Sequence, residues 1–181
     1  MATTELVRRA RDGDRDAYDV LVTQSIDAMY RVARLILRDY DRASDAVQEA
    51  LVRCWRDLPQ LRDPERFVAW LNRILLRAIT EEARKRRRDR IALSVIPIAS
   101  YPDSSADVAN RDELARVFGR LSVEHRTIVV LHHYLGMTAD EAASTIGIPV
   151  GTAKSRLHYA TEALRAALDA DARAAAGRAL A

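Results

Sequence analysis

The sequence predicts an all-α protein, two small helical domains joined by a flexible linker. Three observations carry that prediction. Glycine and proline are scarce, 6 and 5 among 181 residues, and no segment alternates apolar and polar residues with the period of a strand. Apolar residues instead recur at helical spacing in both halves of the chain. Between the halves, "IALSVIPIASYPDSSADVAN" carries two prolines, four serines and no helical stripe. With 49% hydrophobic and 30% charged residues, the chain has enough apolar mass for real cores and too much for a disordered protein.

The first domain is expected over residues 1–89. A weaker helix runs from about Thr4 to Val22, and three amphipathic stripes follow. The first is Ile26, Met29, Tyr30, Ala33 and Ile36, and the second is Ala43, Ala46, Val47, Ala50, Leu51, Cys54, Trp55 and Leu58. The third is Phe67, Trp70, Leu71, Ile74, Leu75, Ala78 and Ile79. Stripes of this length can close a bundle. Between the last two, "DLPQLRDPERF" interrupts the helices with Pro59 and Pro64, and Asp63 is placed to cap the helix that follows. Trp55, Phe67 and Trp70 all lie on the stripes, which favours core packing over exposed stacking.

A formal net charge of +3 hides an uneven distribution. Residues 1–83 hold 14 basic and 15 acidic groups, residues 84–110 hold 6 and 3, and residues 111–181 hold 9 and 8. The surplus sits in "RKRRRDR", Arg84 to Arg90, directly after the third stripe. Such a run suits a polyanion partner, and it suits a solvated helix end as well. The linker is expected over 90–110. Its apolar opening, Ile91 to Ile98, reads equally as a segment lying against a surface and as a loose strap.

The second domain is expected over 111–170. Leu114, Val117, Phe118 and Leu121 resume the helical pattern, followed by "SVEHRTIVVLHHYLG". Thr138 and Glu141 have the spacing of a capping box, so a helix starts there and ends near Gly147. The next begins around Pro149, a residue tolerated in a first turn, and its inward stripe is Val150, Ala153, Leu157, Ala160, Leu164, Ala167 and Leu168. Outward on its N-terminal half stand Thr152, Lys154, Ser155, Arg156, His158 and Tyr159, with no acidic residue before Glu162. That surface offers donors to phosphates and base edges without carboxylate repulsion, as a helix in the major groove must. The residues alone leave two readings open, a helix-turn-helix that reads DNA and an ordinary helical hairpin. After Leu168, "DADARAAAGRALA" reads as fraying helix or disorder, with 171–181 an alanine-rich tail.

Other chemistries find little support. No apolar run approaches the roughly 20 residues needed to span a bilayer, and the N-terminal "MATTELVRRARDGDRD" lacks the apolar middle of a secretion signal. A cytoplasmic protein without membrane insertion is expected. Cys54 is the single cysteine, which excludes an internal disulfide and reads as a buried apolar residue. His132 and His133 are adjacent on a helix, point about 100° apart and are poorly placed to share a metal. Neither a metal nor a cofactor is expected. No G-x-x-x-x-G-K-[ST], H-E-x-x-H or G-x-S-x-G occurs, so no enzyme class is favoured.

Two segments together narrow the choice. "SDAVQEALVRCWRDLPQLRDPERFVAWLNRILLRAITEEARKRRR" and "LARVFGRLSVEHRTIVVLHHYLGMTADEAASTIGIPVGTAKSRLHYATEALRAAL" resemble the two domains of an extracytoplasmic-function sigma factor, the small branch of the bacterial sigma-70 family. The resemblance runs from about Glu5 to Leu168. Its elements recur in order: D-x-V-Q-E, an aromatic seven residues after the glutamine, W-L-x-R-I, a basic run, G-[IM]-T-x-x-E-x-A and G-I-P-x-G-T-x-K-S-R-L.

The resemblance implies binding to core RNA polymerase, direction of that enzyme to promoter DNA, and help in opening the duplex. It implies polymerase contacts at Asp45, Gln48 and Glu49, and capture of a flipped −10 base by the loop from Leu61 to Arg66. At that loop Gln60, just before it, and Leu61, Arg62, Asp63, Glu65 and Arg66 are the candidates, and Arg84, Lys85, Arg86, Arg87 and Arg88 are placed for phosphates around the −10 region. The −35 element falls to Thr152, Lys154, Ser155, Arg156, His158 and Tyr159. A restraining anti-sigma partner is implied, and a free monomer is expected. Two departures stand out: Arg77 replaces the family's usual asparagine after W-L-x-R-I, and Tyr159 and Thr161 occupy sites where the family often has arginines. Tyrosine cannot make arginine's bidentate guanine contact, so a weaker −35 contact or a different base preference follows. The rivals are a helix-turn-helix regulator that binds DNA without polymerase, and an adaptor that would tolerate loss of Lys154 and Arg156.

Overall fold

The computed structural model describes residues 3–92 and 118–179, and every regular element among them is helical. The chain divides into two units, Met1–Asp89 and Arg90–Ala181.

In the first unit the expected helix from Thr4 to Val22 is two helices, α1 (Thr3–Arg11) and α2 (Arg15–Leu37). Gly13 takes φ +98°, and Asp14 caps α2 by accepting the Ala17 N–H at 3.0 Å. Arg9 holds the same carboxylate at 2.6 Å. A left-handed glycine followed by an aspartate cap ends one helix and starts the next. From there α2 runs through the expected Ile26 stripe and buries Ala17, Leu21, Met29, Val32, Ala33, Ile36 and Leu37, leaving Ile26 and Tyr30 half-buried.

Arg38 closes α2 in the left-handed region, at φ +53°, and Asp39 caps α3 (Tyr40–Asp57) by accepting the Arg42 N–H at 3.2 Å. Helix α3 turns Ala43, Ala46, Val47, Ala50 and Cys54 inward, and both α1 and α3 pack on α2. Small side chains on the α3 stripe let the two backbones approach closely. Single 3-10 turns at Leu58–Gln60 and Pro64–Arg66 then lead into α4 (Phe67–Ala92), and α1 packs against both. The core side of α4 is Phe67, Leu71, Ile74, Leu75, Leu76, Ala78 and Ile79. Helix α4 continues through the basic run to Ala92, so the first residues of the expected linker are helical, consistent with the good helix propensity of arginine and lysine.

The tryptophans depart from expectation. Phe67 is buried, but Trp55 is 39% exposed and Trp70 is half-buried. Trp55 lies at the edge of α3, where its ring meets Tyr18 edge-on at 4.7 Å, and the Tyr18 hydroxyl donates to the Leu51 carbonyl at 2.7 Å. A ring that large reaches past the margin of so small a bundle.

In the second unit Ser122 caps α5 (Val123–Val129), and the chain widens into a π turn over Val130–Tyr134. There the Leu135 N–H reaches the Val130 carbonyl at 3.0 Å. Helix α6 (Ala139–Ile146) opens with the predicted capping box: Glu141 N–H donates to Thr138 Oγ1 at 3.2 Å, and Thr138 N–H donates to Glu141 Oε2 at 2.8 Å. It ends at Gly147, φ +71°, whose N–H and that of Ile148 both reach the Ala143 carbonyl. Helix α7 (Val150–Ala179) packs against α5 and α6.

Two expectations about α7 change. Its backbone is helical to Ala179, where fraying helix or disorder was expected after Leu168, as an alanine-rich sequence favours. Val150 and Leu168, expected inward, are 40% and 38% exposed, while Ala153 and Ala160 are fully buried. The partners α5 and α6 have 7 and 8 residues and cover only about 12 Å each, so α7 outreaches them at both ends. Leu114, Val117 and most of the expected linker lie outside the described residues.

Candidate nucleic-acid interface

The turn at Gly147 and the packing of α7 on α5 and α6 decide which face of α7 is free. Lys154, Ser155, His158 and Tyr159 form the exposed strip, whereas Thr152 and Arg156 lie half-buried on its flank. Lys154 Nζ stands 3.3 Å from Asp140 of α6, a pair open to solvent and therefore readily exchanged for a phosphate. Ser155 Oγ donates to the Thr152 carbonyl at 3.0 Å. Arg156 adds a positive charge near Glu124, whose carboxyl is held below its usual range chiefly by a backbone N–H and by the Ser122 hydroxyl. Tyr159 is 62% exposed and stacks on His125 of α5, ring centroids 4.9 Å apart. The capping box, the left-handed glycine and the buried alanines therefore present one strip of donors with Glu162 as its first acid.

The first unit carries a second basic surface, broader than the run expected from the sequence. Arg73, Arg77, Arg84 and Arg88 are all exposed on α4, and their spacing aligns them along one face for about 22 Å. None of the four is in an ion pair among the described residues. Glu81, beside this line, is neutralised from α3: Arg53 donates to both its carboxylate oxygens, at 3.0 and 2.6 Å. That grip, with burial opposing it, holds the Glu81 carboxyl below its ordinary range. Arg53 also holds Glu49 at 2.7 Å. Of the expected run, Lys85 is bound to the buried carboxylate of Glu82, Arg86 is half-buried, and the Arg87 side chain lies outside the described residues. Arg42 of α3 reaches Glu82 as well, at 3.7 Å.

In the loop ahead of α4, Gln60, Arg62, Asp63, Glu65 and Arg66 are exposed. Leu61, expected among the DNA-facing residues, is a correction: it is 7% exposed, because an apolar side chain between two 3-10 turns fills the core beneath them. Asp63 accepts the Glu65 N–H at 3.0 Å and pairs with Arg66 at 3.4 Å, so part of its capacity is spent on the turn. On α3, Asp45, Gln48 and Glu49 are exposed at i, i+3 and i+4, and Val52 continues their strip at 62% exposure.

This arrangement can be set beside known proteins. Residues 21–89 match the family model of sigma-70 region 2, and residues 111–164 match that of sigma-70 region 4. The RNA polymerase sigma-E factor of Streptomyces avermitilis is 36% identical over 151 residues, 82% of this chain and 84% of that one. The chain belongs to the extracytoplasmic-function sigma factors of the sigma-70 family. It functions as an RNA polymerase sigma factor in promoter recognition and transcription initiation. The ECF RNA polymerase sigma factor SigL of Mycobacterium tuberculosis is 34% identical over 145 residues, covering 77% of this sigma factor and 82% of the relative. Among solved structures, CnrH in complex with the cytosolic domain of CnrY matches with a TM-score of 0.67 at 31% identity, over 94% of this chain and 99% of that one. The sigma factor RpoE of Bartonella quintana, solved with the anti-sigma factor NepR, shares the fold with a TM-score of 0.72 at 24% identity, over 85% and 98%.

Sequence reasoning missed three features of this sigma factor. Arg73 and Arg77 align with Arg84 and Arg88 of the expected run only once α4 is known to be unbroken, a spacing visible in the sequence. Arg53 reads as one more surface charge until α3 and α4 are brought together. The stacking of His125 on Tyr159 joins residues 34 positions apart and leaves no signal in the sequence.

Proposed function

We propose that the two basic surfaces divide promoter recognition between them. In this reading α7 enters the major groove of the −35 element, with Lys154, Ser155, His158 and Tyr159 toward the DNA and Thr152 and Arg156 at its flank. The observation that carries it is the carboxylate-free exposed strip of α7 up to Glu162, fixed by the Gly147 turn. The exposed loop residues Arg62, Asp63, Glu65 and Arg66 meet the −10 element, and Arg73, Arg77, Arg84 and Arg88 track its phosphates. Asp45, Gln48 and Glu49 face core polymerase, their support being exposure on one face of α3.

The domain limits follow the same reading, with a first domain to residue 89, a linker over 90–110, and a second domain over 111–170 followed by a tail. The protein acts in the cytoplasm as a monomer, without catalysis of its own and without a metal or cofactor. An anti-sigma protein restrains it, a reading supported by the solved complex of the sigma factor RpoE with the anti-sigma factor NepR.

Run-off transcription tests the whole reading. Purified core polymerase is given fragmented DNA from the source organism with and without the protein. Discrete starts that require the protein are expected, and Lys154→Ala with Arg156→Ala should reduce −35-dependent starts while leaving polymerase binding intact. Loss of polymerase binding in that variant would overturn the division of labour.

A further inference from the structure

Tyr159 is the largest side chain on the exposed strip of α7, and it is not free to swing. One face of its ring lies on His125, with an interplanar angle of 28° and centroids 4.9 Å apart. His125 is itself held, because its Nδ1 lies 3.2 Å from the Ser122 hydroxyl that caps α5, and its backbone N–H donates to that hydroxyl at 3.3 Å. A chain of three side chains thus runs from the start of α5 to the outer face of α7. Tyr159 is nonetheless 62% exposed, and a ring stacked on one side leaves its edge, its other face and its hydroxyl for a partner.

We propose that His125 is a positioning residue for Tyr159, and that the stacked pair makes Tyr159 select a thymine at one base pair of the −35 element. The inference rests on α7 reading that element. An unstacked tyrosine would have to be ordered on entering the groove, whereas a stacked one enters already ordered. The ring edge is apolar and suits the thymine methyl group, the one apolar feature of the major groove. The hydroxyl offers a single hydrogen bond, so the paired acceptors of guanine are poorly served. His125 fixes the ring without touching DNA, which makes the preference depend on a residue outside the recognition helix.

The test is competition among duplex promoters randomised across the −35 element, read out by transcription with the reconstituted holoenzyme. Wild type should prefer thymine at one position, and Tyr159→Ala should abolish that preference alone. His125→Ala should reduce it roughly three- to ten-fold at the same position, with His125→Phe restoring it through the ring stack. In a Tyr159→Ala background, His125→Ala should change nothing further. An even loss across all positions, failure of His125→Phe to restore the preference, or an undiminished effect of His125→Ala without Tyr159 would each overturn the proposal. If wild type shows −35 selectivity but no position responds to Tyr159→Ala, the pairing fails and the promoter-reading assignment stands. Absence of any −35 selectivity in the wild type would overturn both.

Discussion

Arg53 of α3 and Glu81 of α4 are joined by two parallel hydrogen bonds, guanidinium to carboxylate, at 3.0 and 2.6 Å. The pair ties α3 to α4 through residues that are 28 positions apart in sequence, and it also neutralises the acid nearest the arginine line of α4. Arg53→Ala should lower the stability of the first unit by about 1 kcal/mol, a modest figure because Glu81 is partly open to water. The folded Glu81 carboxyl titrates below its ordinary 4.5, so the contribution is fully present above that pH and is lost as pH falls. Urea unfolding at neutral and acidic pH measures both effects; an Arg53→Ala penalty that persists in acid would contradict the assignment.

The arginine line predicts a salt effect. Arg77→Ala and Arg84→Ala should each reduce the dependence of −10 DNA binding on salt by roughly one unit of log–log slope, with little change in sequence preference. Lys85→Ala should do less, since Lys85 is engaged by Glu82. Holoenzyme titrations with a −10 duplex over a range of salt concentrations are decisive, and equal effects from all three variants would reject the distinction.

On α3, Gln48→Ala with Glu49→Ala should weaken association with core polymerase by about ten-fold, roughly 1.4 kcal/mol. Helix content should stay unchanged, because both side chains are exposed. Fluorescence anisotropy against labelled core enzyme gives the affinity, and an unaltered value removes these residues from the polymerase face.

Gly147→Ala isolates a backbone effect. No heavy atom lies within 4 Å of the position a Cβ would take, so the whole penalty is the left-handed conformation at φ +71°, about 1 kcal/mol. Thermal unfolding of the second unit should shift accordingly, and −35 binding should fall with it. A neutral substitution would mean that the turn tolerates another conformation.

Cys54 predicts behaviour at high pH. Burial raises its thiol from 9.0 to about 11, with the Tyr18 hydroxyl opposing that rise. The folded protein therefore keeps its proton where the unfolded chain loses it, so stability is full below pH 9 and declines toward pH 11. Thiol labelling should be slow in the folded protein and accelerate with denaturant. Rapid labelling of the native state at neutral pH would show that α3 opens locally.

The existence and type of the helices were determined by sequence alone, because amphipathic spacing, Asp63, Thr138 with Glu141, Gly147 and Pro149 act over three or four residues. The exposure of Lys154, Ser155, His158 and Tyr159 followed from the same local periodicity. Gly13 and Asp14 were local signals too, and they mark the break between α1 and α2 that periodicity bridged. Tertiary structure decided whatever depends on the reach of a partner: Val150 and Leu168 are exposed because α5 and α6 are short, and Trp55 is exposed because the bundle ends beside it. It also placed Leu61 in the core, joined Arg53 to Glu81 and laid His125 on Tyr159. Periodicity records which side of a helix is apolar; only packing determines what covers that side and which distant charge or ring comes to lie against it.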